Sequence, residues 1–287
     1  MRFGFHVSIA NGLARAVSEA RARRCQTIQI FSRNPRGWQA KDLDPDDVAE
    51  FRAGIRAAGI VPVAVHMPYL VNLAADSRPA FRRSVASLAL ELTRVHQLGA
   101  NYVVMHMGKC GTATEAEALE RMIEGIDQAF HSAPCEVQNA SCPTLLLENT
   151  AGMGHETGYR FEHLKTVIEG IRERGRIGVV LDTAHLFEAG YELRNRAGVD
   201  QTLREFDSTV GLKRLYLLHL NDSKTDFGSR VDRHDHIGKG KIGKQGFRHI
   251  VNHPLLRHLP GIMETPRTGI REDRMNMRAV KALVARE

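Results

Sequence analysis

The chain has 287 residues, of which 43% are hydrophobic and 25% are charged. These proportions are ordinary for a globular protein and argue against a largely disordered one. No apolar run approaches the roughly 20 residues that span a bilayer, and the first residues lack the apolar core of a signal peptide. We therefore expect a cytoplasmic protein with no membrane partner. The net charge of +7 favours a polyanionic partner such as nucleic acid.

The four cysteines are scattered through the chain. Cys25, Cys110, Cys135 and Cys142 form no CxxC pair. Dispersed cysteines in a chain of this length are poor evidence for a disulfide framework. We expect them to be reduced and structural.

Short β-rich runs alternate with longer amphipathic segments. Eight strands are predicted: RFGFHV (2–7), TIQIF (27–31), VPVAVH (61–66), YVVMH (102–106), TLLLE (144–148), IGVVLD (177–182), RLYLLHL (214–220) and GIME (261–264). They are largely apolar, as expected when helices cover one side and side chains fill the other.

Five of the intervening segments have a clear helical period: LARAVSEARARR, DDVAEFRAGIRAAG, RRSVASLALELTRVHQLGA, EAEALERMIEGIDQAF and RFEHLKTVIEGIRERG. Repeated strand-then-helix units predict an α/β fold, a (β/α)8 TIM barrel that spans residues 1–287 as a single domain. Periodicity does not show closure, so an open doubly wound sheet remains an alternative. We expect residues 131–143 to be a loop insertion and residues 221–243 to be a long functional loop.

Ligand-type side chains end six of the predicted strands. They are His66, His106, Glu148, Asp182, His219 and Glu264, at or beside the carboxyl ends of the third to the eighth strand. A closed barrel would direct all six side chains into one concave pocket at its carboxyl face, which we call the bowl. The catalytic residues of such barrels lie on this face.

Two loops extend this set. In DTAH, Asp182 and His185 are three residues apart, as in the first turn of a helix. In VDRHDHIGKGKIG (231–243), Asp232 and His234 are two apart, so in an extended segment they project to the same side. The glycines of this run would let backbone amides approach an anion, flanked by Lys239 and Lys241.

These imidazoles and carboxylates exceed the needs of one ion, since catalytic zinc takes about three protein ligands plus water. They predict a cluster of two or three metals at the carboxyl face. Zinc suits a site rich in histidine, and manganese also accepts these ligands. Paired metals favour phosphodiester hydrolysis, and a basic protein suits a nucleic-acid substrate.

The motifs HMPYLVNL, HMG, LENTAG, LDTAHLFEAGY, HLNDSK, DRHDHIG and METP, together with GFHVSIANGL and FSRNPRGW, closely resemble those of the endonuclease IV family of apurinic/apyrimidinic endonucleases. The resemblance covers nearly the whole chain. It implies a (β/α)8 barrel that holds three zinc ions and cuts duplex DNA 5′ to an abasic site, leaving a 3′-hydroxyl and a 5′-deoxyribose phosphate. Blocked 3′ ends are a further substrate class, and we expect a monomer.

The resemblance also implies roles for individual residues. One zinc would be held by His66, His106 and Glu148; a second by Glu148, Asp182, His219 and Glu264; and a third by His185, Asp232 and His234. Glu148 would bridge two ions and orient the nucleophile, so Glu148 and Glu264 are the predicted catalytic residues. Arg36, Tyr69 and Leu70 would insert into the DNA, and Lys224, Lys239 and Lys241 would contact it. His236 stands where the family usually has Asn, as a spectator or a hydrogen-bond donor to a ligand or phosphate.

Two other functions remain open from the sequence. A sugar isomerase or epimerase on the same barrel would need Glu148, Asp182, His219 and Glu264 for a single metal, but not the other ligands. A catalytically silent protein that binds damaged DNA would have no evident use for a bridging carboxylate.

Overall fold

The computed structural model describes residues 1–133 and 142–285. Its strands are β1 (Arg2–Val7), β2 (Thr27–Ile30), β3 (Val63–His66), β4 (Tyr102–His106), β5 (Thr144–Glu148), β6 (Ile177–Asp182), β7 (Leu215–His219), β8 (Asp222–Ser223), β9 (His234–Asp235) and β10 (Pro260–Met263). Eight of them form a closed parallel barrel in the order β1-β10-β7-β6-β5-β4-β3-β2, and β8 pairs with β9 in a separate antiparallel ladder. The barrel prediction is confirmed and the open sheet is excluded.

Helices follow the barrel strands. In the described residues they are α1 (Leu13–Ala22), α2 (Pro45–Ala57), α3 (Arg78–Leu98), α4 (Glu115–Ser132), α5 (Phe161–Gly170), α6 (Thr183–Ala189), α7 (Arg196–Thr209), α8 (Gly243–Asn252) and α9 (Ile270–Leu283). Local chemistry sets several ends: Thr114 and Glu117 form a capping box before α4, and Gly99 ends α3 in the left-handed conformation. Helix α5 ends earlier than its predicted segment because Ile171 turns into extended backbone and is buried.

Inward-facing side chains of the barrel strands recur at every second position. A fully buried apolar cluster consists of Ala64, Val104, Leu146, Val180, Leu217 and Ile262, one residue from each of β3 to β7 and from β10. The residue two positions after each of these is one of the six predicted ligands at the strand ends. Because strand side chains alternate between faces, each ligand points to the same inner side as the apolar residue before it.

The predicted insertion at residues 131–143 falls in the sequence between helix α4 and strand β5. Residues 131 and 132 belong to α4, whereas residues 134–141, including Cys135, lie outside the described residues. Cys25 and Cys110 are buried free thiols, as expected. Cys142 is disulfide-bonded, so the expectation of a reduced thiol is wrong there. Sequence spacing does not show which cysteines approach each other in space.

Among the described helices, none combines the length and the apolarity that crossing a membrane would require.

Gly4 marks the closest approach of two barrel strands. A Cβ atom at this position would lie 1.6 Å from the carbonyl oxygen of Thr27 on β2. We predict that Gly4→Ala lowers the free energy of unfolding by more than about 3 kcal/mol, because backbone rather than a flexible side chain must move. Gly175→Ala is the control, since nothing lies within 4 Å of its Cβ position. Urea titration of both variants measures the effect, and equal stabilities would contradict this account of the barrel.

Candidate metal centre

The ligands predicted from six strands meet at the carboxyl end of the barrel. Potential ligand atoms within 4.8 Å of one another define three groups in the described residues: His66, His106 and Glu148; Glu148, Asp182, His219 and Glu264; and Asp182, His185 and His234. We call these the first, second and third group. They are continuous, because Glu148 belongs to the first two and Asp182 to the last two.

Glu148 divides its two oxygens between neighbouring groups. Its Oε2 lies 3.2 Å from His66 Nε2 and 3.1 Å from His106 Nε2. Its Oε1 lies 2.8 Å from His219 Nδ1 in the second group. A carboxylate with one oxygen in each group has the geometry of a bridge between two cations.

Asp182 is both a ligand candidate and the N-cap of α6. Its Oδ1 accepts hydrogen bonds from the backbone N–H groups of Ala184 and His185. Its Oδ2 accepts one from Asn221 Nδ2 at 2.6 Å and lies 3.6 Å from His234 Nε2. The cap therefore fixes one oxygen and leaves the other between the second and third groups.

The third group combines the helix with the long loop. The helix spacing places His185 inside the bowl, where its Nδ1 lies 2.9 Å from the carbonyl oxygen of Asn149. Asp232 lies outside the three tight groups but approaches two members of the third: its Oδ2 is 3.4 Å from His185 Nε2 and its Oδ1 is 3.6 Å from His234 Nε2. Every predicted ligand therefore faces the same bowl.

The electrostatics of the bowl favour positive charge. Burial alone would lower the pKa of His219, but the carboxylates of Glu264 and Glu148 raise it to about 9. Burial likewise opposes the charged form of Glu148, yet His219 and His106 hold its pKa well below the ordinary value. Despite burial, His185 and His234 lower the pKa of Asp232 to about 2. Carboxylates buried this closely need cations, either imidazolium or metal.

The glycine-rich run has a different partner from the one predicted. The carboxylate of Asp222, fully buried at the start of the loop, accepts hydrogen bonds from the backbone N–H groups of Gly240, Ile242 and Gly243. The anion that these amides approach is thus part of the chain. Lys239 and Lys241 are exposed on the same run, and Lys241 pairs with Asp226 at 3.0 Å.

Glu188 stabilises the part of the loop between Ser223 and Arg233 by hydrogen bonds. Its Oε1 accepts hydrogen bonds from Ser223 Oγ, from Thr225 Oγ1 and from the backbone N–H of Arg233, which lies between Asp232 and His234. Its Oε2 is buried without a hydrogen-bond partner. Burial raises the pKa of this carboxyl group to about 7.

Sequence reasoning missed two polar residues on β1 and β2. Gln29 Nε2 donates a hydrogen bond to Glu264 Oε1 at 2.6 Å, and His6 Nδ1 lies 3.0 Å from the same oxygen. His6 follows Gly4 by two positions and Gln29 follows Thr27 by two positions, which is the spacing seen for the ligands. Gln29 was missed because glutamine is not a common metal ligand, although its spacing from Thr27 is visible in the sequence.

Two of the predicted DNA-contacting residues, Tyr69 and Arg36, line cavities at the mouth of the ligand site. Tyr69 is 64% exposed and Leu70 is 41% exposed. Tyr69 lines a cavity of roughly 350 Å³ that is also lined by six of the predicted ligands, namely His66, His106, His185, Asp232, His234 and Glu264. It also lines an adjoining cavity bordered by Arg36. Lys224 is exposed beside β8. No described contact ties the ammonium groups of Lys224, Lys239 or Lys241 to the ligand groups.

His236 does not belong to the three groups. Its Nδ1 lies 3.1 Å from Asn276 Nδ2, and Asn276 also accepts a hydrogen bond from the backbone N–H of Ile237. His236 thus helps attach the loop to α9.

The raised pKa of Glu188 gives a prediction about pH. The folded state binds its proton more tightly than the unfolded chain does, so the neutral carboxyl group contributes stability below about pH 4.5 that is lost as pH rises to about 7. Glu188→Gln keeps the neutral form, so in the chelator-treated protein it should gain about 3 kcal/mol over the original chain at pH 8 and nothing near pH 4.5. Glu120→Gln, on the exposed side of α4, is the control. A difference that does not change with pH, measured by urea titration, would contradict the assignment.

Comparison with known proteins identifies the family of this chain. Residues 17–282 match the family model of the xylose isomerase-like TIM barrel. A probable endonuclease 4 from Methanoculleus marisnigri is 47% identical over 280 residues, covering 98% of each chain. The crystal structure of endonuclease IV from Thermus thermophilus shares 40% identity at a TM-score of 0.87, covering 99% of this chain and 98% of the other. A D-tagatose 3-epimerase-like protein, with 17% identity and a TM-score of 0.71, shares the fold over 99% of this chain and 97% of its own. The chain belongs to the endonuclease IV family, within the xylose isomerase-like TIM barrels.

Proposed function

We propose that this chain is a DNA-repair endonuclease that hydrolyses the phosphodiester bond 5′ to an abasic site in duplex DNA, leaving a 3′-hydroxyl and a 5′-deoxyribose phosphate. The observation that carries the proposal is the divided carboxylate of Glu148, with Oε2 among the histidines of the first group and Oε1 against His219 of the second. This arrangement suits two adjacent cations, as in enzymes that cleave phosphodiesters.

The residues fit three zinc ions, and manganese would suit the same donors. The first group would hold one ion and the second group another, with Glu148 shared. His185, Asp232 and His234 would hold the third, with Asp182 between the second and third sites. The donors are imidazole nitrogens and carboxylate oxygens, and the described ligands include no thiolate.

Bound zinc would supply a nucleophile from water at neutral pH and would neutralise charge on the attacking and leaving oxygens. The protein provides positions for this chemistry. Glu148, shared by the first and second groups, would orient that nucleophile, and Glu264 would complete the second group. The loop that carries Asp232 and His234 would help hold the third ion close to the 3′ leaving oxygen.

The rim residues fit entry of a damaged strand. Tyr69 and Leu70 are large exposed side chains directly after β3, and Tyr69 N–H donates a hydrogen bond to the carbonyl oxygen of Pro35. That bond joins their loop to the one that carries Arg36. We assign these three residues to the minor groove and Lys224, Lys239 and Lys241 to the phosphates. An abasic nucleotide lacks its stacked base, so its extrusion costs less than the few kcal/mol of an intact one.

The same bowl would accept blocked 3′ ends, because they present a phosphate-linked group to the same cations. We further propose that residues 1–287 act as one domain and as a monomer.

The two rival functions use less of this site. A sugar isomerase or epimerase needs the second group alone, and the D-tagatose 3-epimerase-like neighbour shares the fold without indicating an activity. The first and third groups would then have no role. A catalytically inactive DNA-binding protein would not need a carboxylate, Glu148, whose two oxygens contact two different ligand groups.

Metal-dependent incision tests the proposal. A duplex with one tetrahydrofuran abasic analogue resists β-elimination, so only hydrolysis cuts it. We predict a cut on the 5′ side with a free 3′-hydroxyl, a loss of more than about 100-fold after exhaustive chelation, and recovery on addition of zinc. Product ends can be identified by polymerase extension. Failure to cut under zinc or manganese, with ketose epimerisation in its place, would favour the isomerase.

Glu264→Gln separates catalysis from binding. The substitution keeps the shape of the side chain and removes the charge that faces His219 Nδ1 at 3.3 Å. We predict that kcat falls by about 100-fold or more while the Kd for abasic duplex stays within about threefold, as measured by fluorescence anisotropy. Equal loss of cleavage and binding would mean that the cluster has a structural role.

A further inference from the structure

Gln29 lies on β2, a strand to which no metal ligand was assigned. Its side chain is fully buried and joins two members of the second group. Gln29 Oε1 lies 3.0 Å from His219 Nε2, and Gln29 Nε2 lies 2.6 Å from Glu264 Oε1. One carboxamide thus contacts ligands from two other strands.

The chemistry allows one orientation of this carboxamide. A carboxylate only accepts hydrogen bonds, so the amide nitrogen must face Glu264 and the amide oxygen must face His219. The oxygen then requires a proton on His219 Nε2. In a neutral imidazole this leaves Nδ1 as the nitrogen with a free lone pair.

The same contacts select the oxygen of Glu264. Gln29 Nε2 and His6 Nδ1 both approach Oε1, at 2.6 Å and 3.0 Å. Oε2 is left facing inward, 3.3 Å from His219 Nδ1. His219 Nδ1 also lies 2.8 Å from Glu148 Oε1 and 3.9 Å from Asp182 Oδ2, so the selected atoms converge on the second group.

We propose that Gln29 is a positioning residue that fixes the tautomer of His219 and the coordinating oxygen of Glu264, and so prepares the second group for a cation. This inference rests on the proposed metal cluster. Partners that orient a ligand typically change metal affinity by about 10- to 100-fold when removed.

Zinc binding to the intact chain tests this inference without measuring activity. Gln29→Leu removes the hydrogen bonds to His219 and Glu264, together with the 3.1 Å contact to His6 Nδ1, at similar volume. Competition with a chromophoric chelator gives the number of zinc ions and their affinities. We expect one of three ions to bind about 10- to 100-fold more weakly and the other two to bind as before. The cobalt-substituted protein should show a changed visible spectrum for that one site. Gln201→Leu, exposed on α7, is the matched control and should change nothing.

The outcomes separate the two hypotheses. If the original chain binds three ions and Gln29→Leu binds all three with unchanged affinity, the positioning role is wrong. If the original chain binds no zinc, the proposed metal cluster itself is wrong. Gln29→Met, which is unbranched and adapts to the cavity, replaces the leucine variant should that variant fail to fold.

Discussion

Strand side chains in a closed barrel alternate between inside and outside, and the active site depends on that two-residue spacing. On six strands an apolar residue closes the interior and the residue two positions later becomes a ligand candidate. On the two remaining barrel strands the same spacing places His6 after Gly4 and Gln29 after Thr27. All eight strands therefore contribute a polar side chain to one bowl. The polar side chains at the strand ends therefore continue the pattern that builds the core.

Carboxylates in this bowl repel one another, and the surrounding structure limits how they respond. Asp182 is held by the first turn of α6 and by Asn221, which also accepts a hydrogen bond from the backbone N–H of Glu264. Glu264 is held in turn by Gln29 and His6. Because the carboxylates are held in place, their mutual repulsion is reduced mainly by nearby positive charge. The raised pKa of His219 is one result of this, since the carboxylates stabilise its protonated form. Divalent cations would neutralise these carboxylates more completely and would also make hydrolysis possible.

Much of this arrangement could be predicted from the sequence. The predicted barrel strands end within two residues of the observed ones, since short apolar runs separated by helical segments leave little freedom. The ligand positions followed from those ends. Pairing at a distance could not be predicted: nothing near Asp222 indicates that its carboxylate binds the amides of Gly240 and Ile242, eighteen and twenty residues later. The disulfide of Cys142 and the contacts of Gln29 were missed for the same reason.

Anomalous diffraction at the zinc edge would test the central claim most directly. Crystals of the purified protein should show three peaks: one beside His66, His106 and Glu148; one beside Glu148, Asp182, His219 and Glu264; and one beside His185, Asp232 and His234. A single peak in the second group would contradict the account and would point to a one-metal enzyme on the same barrel. Two peaks, without one beside His185, Asp232 and His234, would mean that no third ion binds and that the loop carrying Asp232 and His234 does not have the proposed role.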